Sequence, residues 1–308
     1  MKIAMMGSGG VGGYFGGRLA QAGYDVAFIA RGSHLAAIKK NGLKIDSPLG
    51  DVVLSDIQAT DDPAEIGPVD LVLFSVKLMD TETAARSIAP LFGPNTGIIS
   101  FQNGVTKDDI LRRVFGKAAV MGGVGYIASA IGEPGVIKHI GTMQKLVFGE
   151  YDGKRSDRAA QLLAACQKAG ITATLSENIA RDIWEKFVFL VGLSGTTTSM
   201  RFPIGPIREN PHSREFLFKI MEEAAAVGRA HGIALPQNYA QERLKFCDGL
   251  PVDMTSSMHH DLQRGKPLEV AWLSGAVVDL GEAVGIDTPA NRAVRDVLAL
   301  HEQGRKDA

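Results

Sequence analysis

Residues 2–7, KIAMMG, are a short apolar strand that runs directly into glycine, and the chain continues GSGGVGGYFGG. Gly7, Gly9 and Gly12 fall in the spacing G-x-G-x-x-G. The first glycine of that pattern permits a tight turn, the second lets backbone approach a pyrophosphate, and the third allows close helix–strand packing. The helix that follows offers unpaired N–H groups and the positive end of its dipole to phosphate oxygens. A glycine-rich turn alone says little; its place after a strand and before a helix is the context a dinucleotide site requires. Gly7, Ser8, Gly9, Gly10, Val11 and Gly12 are therefore the candidate pyrophosphate loop.

The following segments extend that βα unit. DVAFIAR (25–31) reads as a second strand, HLAAIKKNG as a short helix ended by Gly42, and LKIDSPLGDVVL as a hairpin. DLVLFSVK (70–77) and TGIISFQN (96–103) are continuous apolar strands of the kind buried on both faces of a parallel sheet. Helices expected over 81–91 and 106–115 alternate with them. Three β-like segments follow Gly116: AVMGGVGYIASA, GVIKHIG and KLVFGE. Near residue 176 the pattern changes to helical periodicity, clearest in REFLFKIMEEAAAVGRAHG (214–232) and LEVAWLSGAVVDLGEAVG (268–285). A chain of 308 residues accommodates about two domains. The expected architecture is an N-terminal Rossmann-type, doubly wound α/β sheet over 1–176 and an all-helical domain over 177–308.

Composition narrows the partners. A formal net charge of -1 gives no reason to expect nucleic acid or an anionic membrane surface. No apolar stretch approaches the length of a membrane span, and glycines interrupt the N-terminal apolar run too early for a signal peptide, so the expected location is the cytoplasm. Cys166 and Cys247 cannot build a disulfide framework and read as reduced thiols. The adjacent His259 and His260 lack a carboxylate–histidine set at ligand spacing; they read as surface residues, and no metal is expected. Helical second domains of this kind often pair, as in a homodimer, but the sequence itself leaves the oligomeric state open.

Four positions carry chemistry. The second strand ends at Arg31, with Ser33 nearby and no acid between Asp25 and Asp46. NAD enzymes usually place Asp or Glu there for the ribose hydroxyls, whereas a guanidinium binds a 2′-phosphate bidentately. The missing acid and the present base point to NADP; the plain alternative is a solvated surface arginine. Lys77 and Asn103 close two strands, at the carboxyl edge where ligands of open α/β sheets lie, although Asn-Gly is also a common turn. Lys186 sits in DIWEKFVFLVGLSG, with Asp182, Ile183, Phe189 and Leu190 three and four positions away. It either snorkels over an apolar stripe or serves, partly desolvated, as a general acid.

GSGGVG, Arg31, SVK, QNG, WEK at 184–186 and SSM…LE at 256–269, in this order, resemble the ketopantoate reductases over essentially the whole chain. The resemblance implies NADPH-dependent reduction of a 2-oxo acid to a 2-hydroxy acid, in pantothenate biosynthesis, with Lys186 matching the catalytic lysine. Lys77 and Asn103 then match cofactor and substrate contacts, and Ala128 falls where a backbone group touches NADP. Ser257 matches the serine that binds the substrate's carboxylate end, and Glu269 the acid beside the nicotinamide ribose and the lysine. The chain also departs from the pattern: Leu190 and Ser194, on the substrate side, stand where asparagines are expected, as do Arg201, Ile204 and Ser274. Such losses remove amide donors and acceptors, so the identity of the oxo acid stays open and a branched or hydrophobic one is expected. Another hydroxy-acid dehydrogenase of similar architecture and a non-catalytic NADPH sensor remain alternatives.

Overall fold

The computed structural model describes residues 1–305. Its contacts divide the chain into two units, Met1–Asn103 with Lys107–Asp182, and Gly104–Thr106 with Ile183 onward. The first contains, in chain order, β1 (Lys2–Met6), α1 (Gly10–Gln21), β2 (Asp25–Ile29), α2 (Gly32–Asn41), β3 (Leu43–Asp46), β4 (Val52–Leu54) and β5 (Gln58–Thr60). It continues through β6 (Leu71–Phe74), α3 (Thr81–Ser87), β7 (Gly97–Ser100), α4 (Lys107–Phe115), β8 (Val120–Glu133), β9 (Val136–Gly149), α5 (Asp157–Lys168) and β10 (Thr172–Leu175). All ten strands form one sheet in the order β4-β3-β9-β8-β7-β6-β1-β2-β5, with β10 also on β9.

Six of these strands, β5-β2-β1-β6-β7-β8, are mutually parallel. Counted along the chain they lie in the order 3-2-1-4-5-6 of a Rossmann sheet, whose direction of winding reverses between β1 and β6. Side-chain alternation builds a core on each face. Ile3, Met5, Phe28, Leu71, Leu73 and Ile99 pack with Tyr14 and Phe15 of α1, Ile38 of α2 and Leu162 of α5. Ala4, Ala27, Val72, Phe74 and Ile98 face the other way, against Ala84 and Ala85 of α3 and Leu111 of α4. The doubly wound sheet is thus present, covered on both faces.

Several local expectations are corrected. The helix expected over 81–91 ends at Ser87; Pro90 sits in a separate single turn, Ala89–Leu91, because it has no N–H with which to extend α3. The three β-like segments after Gly116 are two 14-residue strands, since GVIKHIG and KLVFGE join into β9. β9 pairs antiparallel with β8, and the register slips between Ile127 and Ser129, as at a bulge. β3 uses the start of β9's other edge, at Val136–Lys138, and β10 its end, at Lys145–Phe148.

The second unit is helical: α6 (Ile179–Met200, which starts in the first unit), α7 (Ile204–Glu209), α8 (Pro211–Ala230), α9 (Tyr239–Asp248), α10 (Ser257–Gln263), α11 (Ser274–Val284) and α12 (Pro289–Leu298). Its core joins Trp184, Phe187 and Val191 of α6 to Leu217, Ile220 and Met221 of α8, Val277 of α11 and Val294 of α12. A Cβ on Gly192 would lie 2.5 Å from Met221 Cγ, so glycine permits the close approach of α6 to α8. No helix among the described residues is long and apolar enough to cross a membrane.

Candidate functional site

Each glycine of the nucleotide fingerprint has its own reason to lack a side chain. Gly7 has φ +90°, a conformation that disfavours side chains, and a Cβ there would lie 2.8 Å from Val76 N. A Cβ on Gly12 would stand 2.1 Å from Gly7 O, where α1 leaves β1. A Cβ on Gly10 would stand 2.4 Å from Ser129 O, because β8 crosses the start of α1. Gly9 differs: a Cβ there would meet nothing within 4 Å. The open approach lies at the N-terminus of α1, whose first turn carries no acid, and it fits a pyrophosphate. Ser8 is buried, and both its Oγ and its N–H donate to Ile29 O at 3.0 Å, so it shapes the loop while the N–H groups beyond it are left to meet a phosphate. Val11 is half-buried on the first turn of α1. Ala128 is exposed in the β8 bulge, beside the Ser129 that covers Gly10.

His34, which sequence reasoning missed, locks this loop. Its Nδ1 accepts from Gly135 N–H at 3.0 Å, which leaves Nε2–H to donate to Ser8 O at 2.9 Å. One buried ring therefore ties α2 to the glycine loop and to the β8–β9 turn. Burial holds its pKa below the usual histidine value, although the bond to Ser8 opposes this. Only the 101-residue separation of His34 and Gly135 hid the pairing.

The other positions of the first unit line one edge. Ile29, Met6, Phe74, Ser100 and Gly122 are register partners across β2-β1-β6-β7-β8. Lys77 and Asn103 each follow by three residues a member of the Phe74–Ser100 pair, so the sheet brings both to its carboxyl edge. Arg31 lies two residues past Ile29, and its guanidinium bonds Asp80 Oδ2 at 2.9 Å. That acid was also missed, because it comes from the segment after β6 rather than from the end of β2. A buried cation joins the end of β7 to β8: Lys107 Nζ donates to Ser100 O (2.8 Å), Gly123 O (3.3 Å) and Asp108 (3.0 Å). Burial drives the Lys107 pKa down, while Tyr151, bonded to Asp108 at 2.6 Å, is pushed up by the same burial.

The second unit carries the remaining candidates. Lys186, Leu190 and Ser194 recur every four residues on α6; the first two are half-buried, whereas Ser194 is 1% exposed and its Oγ has no hydrogen-bond partner. Ser257 opens α10 and is exposed. The preceding Ser256 caps α10 by accepting from His259 N–H, and its Oγ meets Thr197 Oγ1 at 3.1 Å. Glu269 is buried. His259 is not a surface residue: it is 4% exposed, with Nδ1 bonded to Thr197 O at 2.7 Å, while His260 is exposed. Ile204 and Ser274 are fully buried, and Arg201, at φ 60°, is exposed just beyond α6. Cys166 and Cys247 are free and buried.

Comparison with known proteins places this arrangement. Family models described as ketopantoate reductase PanE/ApbA and its C-terminal domain match residues 3–153 and 178–302. A 2-dehydropantoate 2-reductase of Archaeoglobus fulgidus is 33% identical, with 98% of each chain covered. The crystal structure of a PanE/ApbA family ketopantoate reductase from Ralstonia eutropha is 34% identical, covers 98% of each chain and superposes with a TM-score of 0.90. That of a 2-dehydropantoate 2-reductase from Geobacter metallireducens is 31% identical, covers 97% of this chain and 99% of its own, and gives 0.91. A D-mandelate dehydrogenase, at 23% identity and TM-score 0.88, shares the fold. The chain belongs to the ketopantoate reductase family of oxidoreductases.

Proposed function

We propose that this protein reduces a 2-oxo acid to the 2-hydroxy acid with NADPH, and that Lys186 is the general acid. The observation that supports this most is Lys186 itself: a half-buried ammonium beside the buried Ile183 and Phe187, in a member of this reductase family. Bound NADPH supplies the hydride that the ketone carbon accepts. Negative charge then develops on the ketone oxygen; the Lys186 ammonium stabilises it and passes a proton to that oxygen. Apolar neighbours exclude water and strengthen the interaction. Glu269 holds the lysine and the cofactor's ribose, Ser257 and Asn103 hold the substrate, and Leu190 faces its far end, with Ser194 buried one turn further along α6. Lys77, Arg31, the backbone at Ala128 and the Gly7–Gly12 loop hold the cofactor.

The test is Lys186→Met, which keeps an apolar stem and removes the charge. NADPH binding is expected to stay nearly unchanged, while turnover falls by roughly 10²–10⁴, the range for loss of a general acid. A loss of about tenfold or less would make Lys186 a snorkelling surface residue. Single-turnover mixing of NADPH with a panel of 2-oxo acids tests catalysis itself. No oxidation with any of them would identify a cofactor sensor.

A further inference from the structure

Lys77 and Asn103 lie three residues beyond the ends of neighbouring strands, and the sheet's own ladder stops short of them, at the bond from Phe101 N–H to Phe74 O. One buried side chain joins the two segments. Gln102, 7% exposed, donates from Nε2 to Val76 O at 3.0 Å and to Thr81 Oγ1 at 2.8 Å. Its Oε1 accepts from Ser100 Oγ at 2.9 Å. The orientation of the amide follows from chemistry: Val76 O is acceptor only, so the NH₂ group must face it. Thr81 Oγ1 spends its proton on Leu78 O at 2.7 Å and is therefore an acceptor for Gln102. Asp80 N–H closes the same turn on Lys77 O at 3.0 Å. Val76 immediately precedes Lys77, and Gln102 immediately precedes Asn103.

The geometry points to Gln102 as a positioning residue that sets Lys77 and Asn103 relative to one another through its bonds to Val76, Thr81 and Ser100. The inference rests on the roles proposed above for Lys77 and Asn103. Gln102 satisfies both its N–H donors inside the protein, so it acts through its neighbours rather than as a catalytic residue. Lys107 holds Ser100 O and Phe101 N–H bonds Phe74 O, so the base of the segment is fixed, and Gln102 ties its end to the segment that carries Lys77.

Gln102→Met retains length and removes all three bonds; Gln102→Glu turns a carboxylate oxygen toward Val76 O. NADPH affinity, measured by fluorescence titration without substrate, is expected to fall roughly tenfold in Gln102→Met and further in Gln102→Glu, by loss of buried hydrogen bonds. The deciding experiment is a double-mutant cycle with Lys77→Ala. In the Lys77→Ala background, Gln102→Met should weaken NADPH less than about twofold, because the residue through which it acts is gone. A parallel cycle with Asn103→Ala reads kcat/KM for the oxo acid, and the same non-additivity is expected. Strict additivity in both cycles, or wild-type affinity and turnover in Gln102→Met, overturns the assignment. A drop in Tm with unchanged NADPH affinity and kcat/KM would make the network purely structural and overturns it too. Should the wild type reduce no 2-oxo acid, the proposed function fails, while the NADPH-binding cycle still decides the role of Gln102.

Discussion

The Arg31 guanidinium, proposed above to hold the cofactor, is paired with Asp80 at 2.9 Å. Its place at the end of β2 and the missing local acid could be read directly, whereas Asp80 could not, since 49 residues separate the pair. The side chains of Arg31 and Asp80 are 76% and 38% exposed, and such a pair contributes only about 0–1 kcal/mol. A 2′-phosphate carries more charge than one carboxylate and accepts bidentately, so it can take the guanidinium from Asp80. Arg31→Ala should weaken NADPH by about 1.5–3 kcal/mol and NADH far less. Asp80→Asn should leave NADPH binding unchanged or tighten it. Titrations with both cofactors check this; equal loss for the two in Arg31→Ala would show that Arg31 does not read the phosphate.

At the scale of elements, the glycine loop could be read from spacing alone, because Gly7 and Gly12 answer contacts within a few residues or across one strand pair and Gly9 faces open space. The hairpin that covers it could not. β8 and β9 were visible as apolar pieces, but the crossing of Gly10 by Ser129 depends on sheet order and on the bulge near Ile127. His34 joins these elements only as a neutral ring, since protonated Nδ1 cannot accept from Gly135 N–H. Burial holds its folded pKa below the ordinary histidine value of 6.5, so the unfolded chain binds the proton more readily. The stability His34 contributes is therefore full above 6.5 and declines as pH falls from there through the lowered folded pKa. Thermal melts across this range should show wild type losing Tm more steeply than His34→Gln, which has no titrating group. Parallel pH dependences would remove the ring from the stability of the loop.

For the whole molecule, the division into a nucleotide-binding fold and a helical unit follows from a change of hydrophobic period, which any segment displays by itself. Which replaced asparagines keep access to solvent is a different matter, because it depends on how helices pack. Leu190 and Ile204 both stand where amides were expected at the substrate's far end. Leu190 is half-buried on the helix that carries Lys186, but Ile204 is fully buried in the second core and its N–H donates to Met254 O. Under the proposed function, selection at the far end is therefore expected to fall to Leu190. A leucine strands a substrate hydroxyl that an amide would satisfy, at about 1–3 kcal/mol. The enzyme is expected to prefer a deoxy analogue over ketopantoate in kcat/KM, and Leu190→Asn should shift that ratio toward ketopantoate by roughly five- to a hundredfold. Ile204→Asn should instead lower Tm, because it buries an amide in an apolar core, and leave the ratio unchanged. A strong wild-type preference for ketopantoate, unmoved by Leu190→Asn, would mean that other side chains meet the hydroxyl and that Leu190 does not face it.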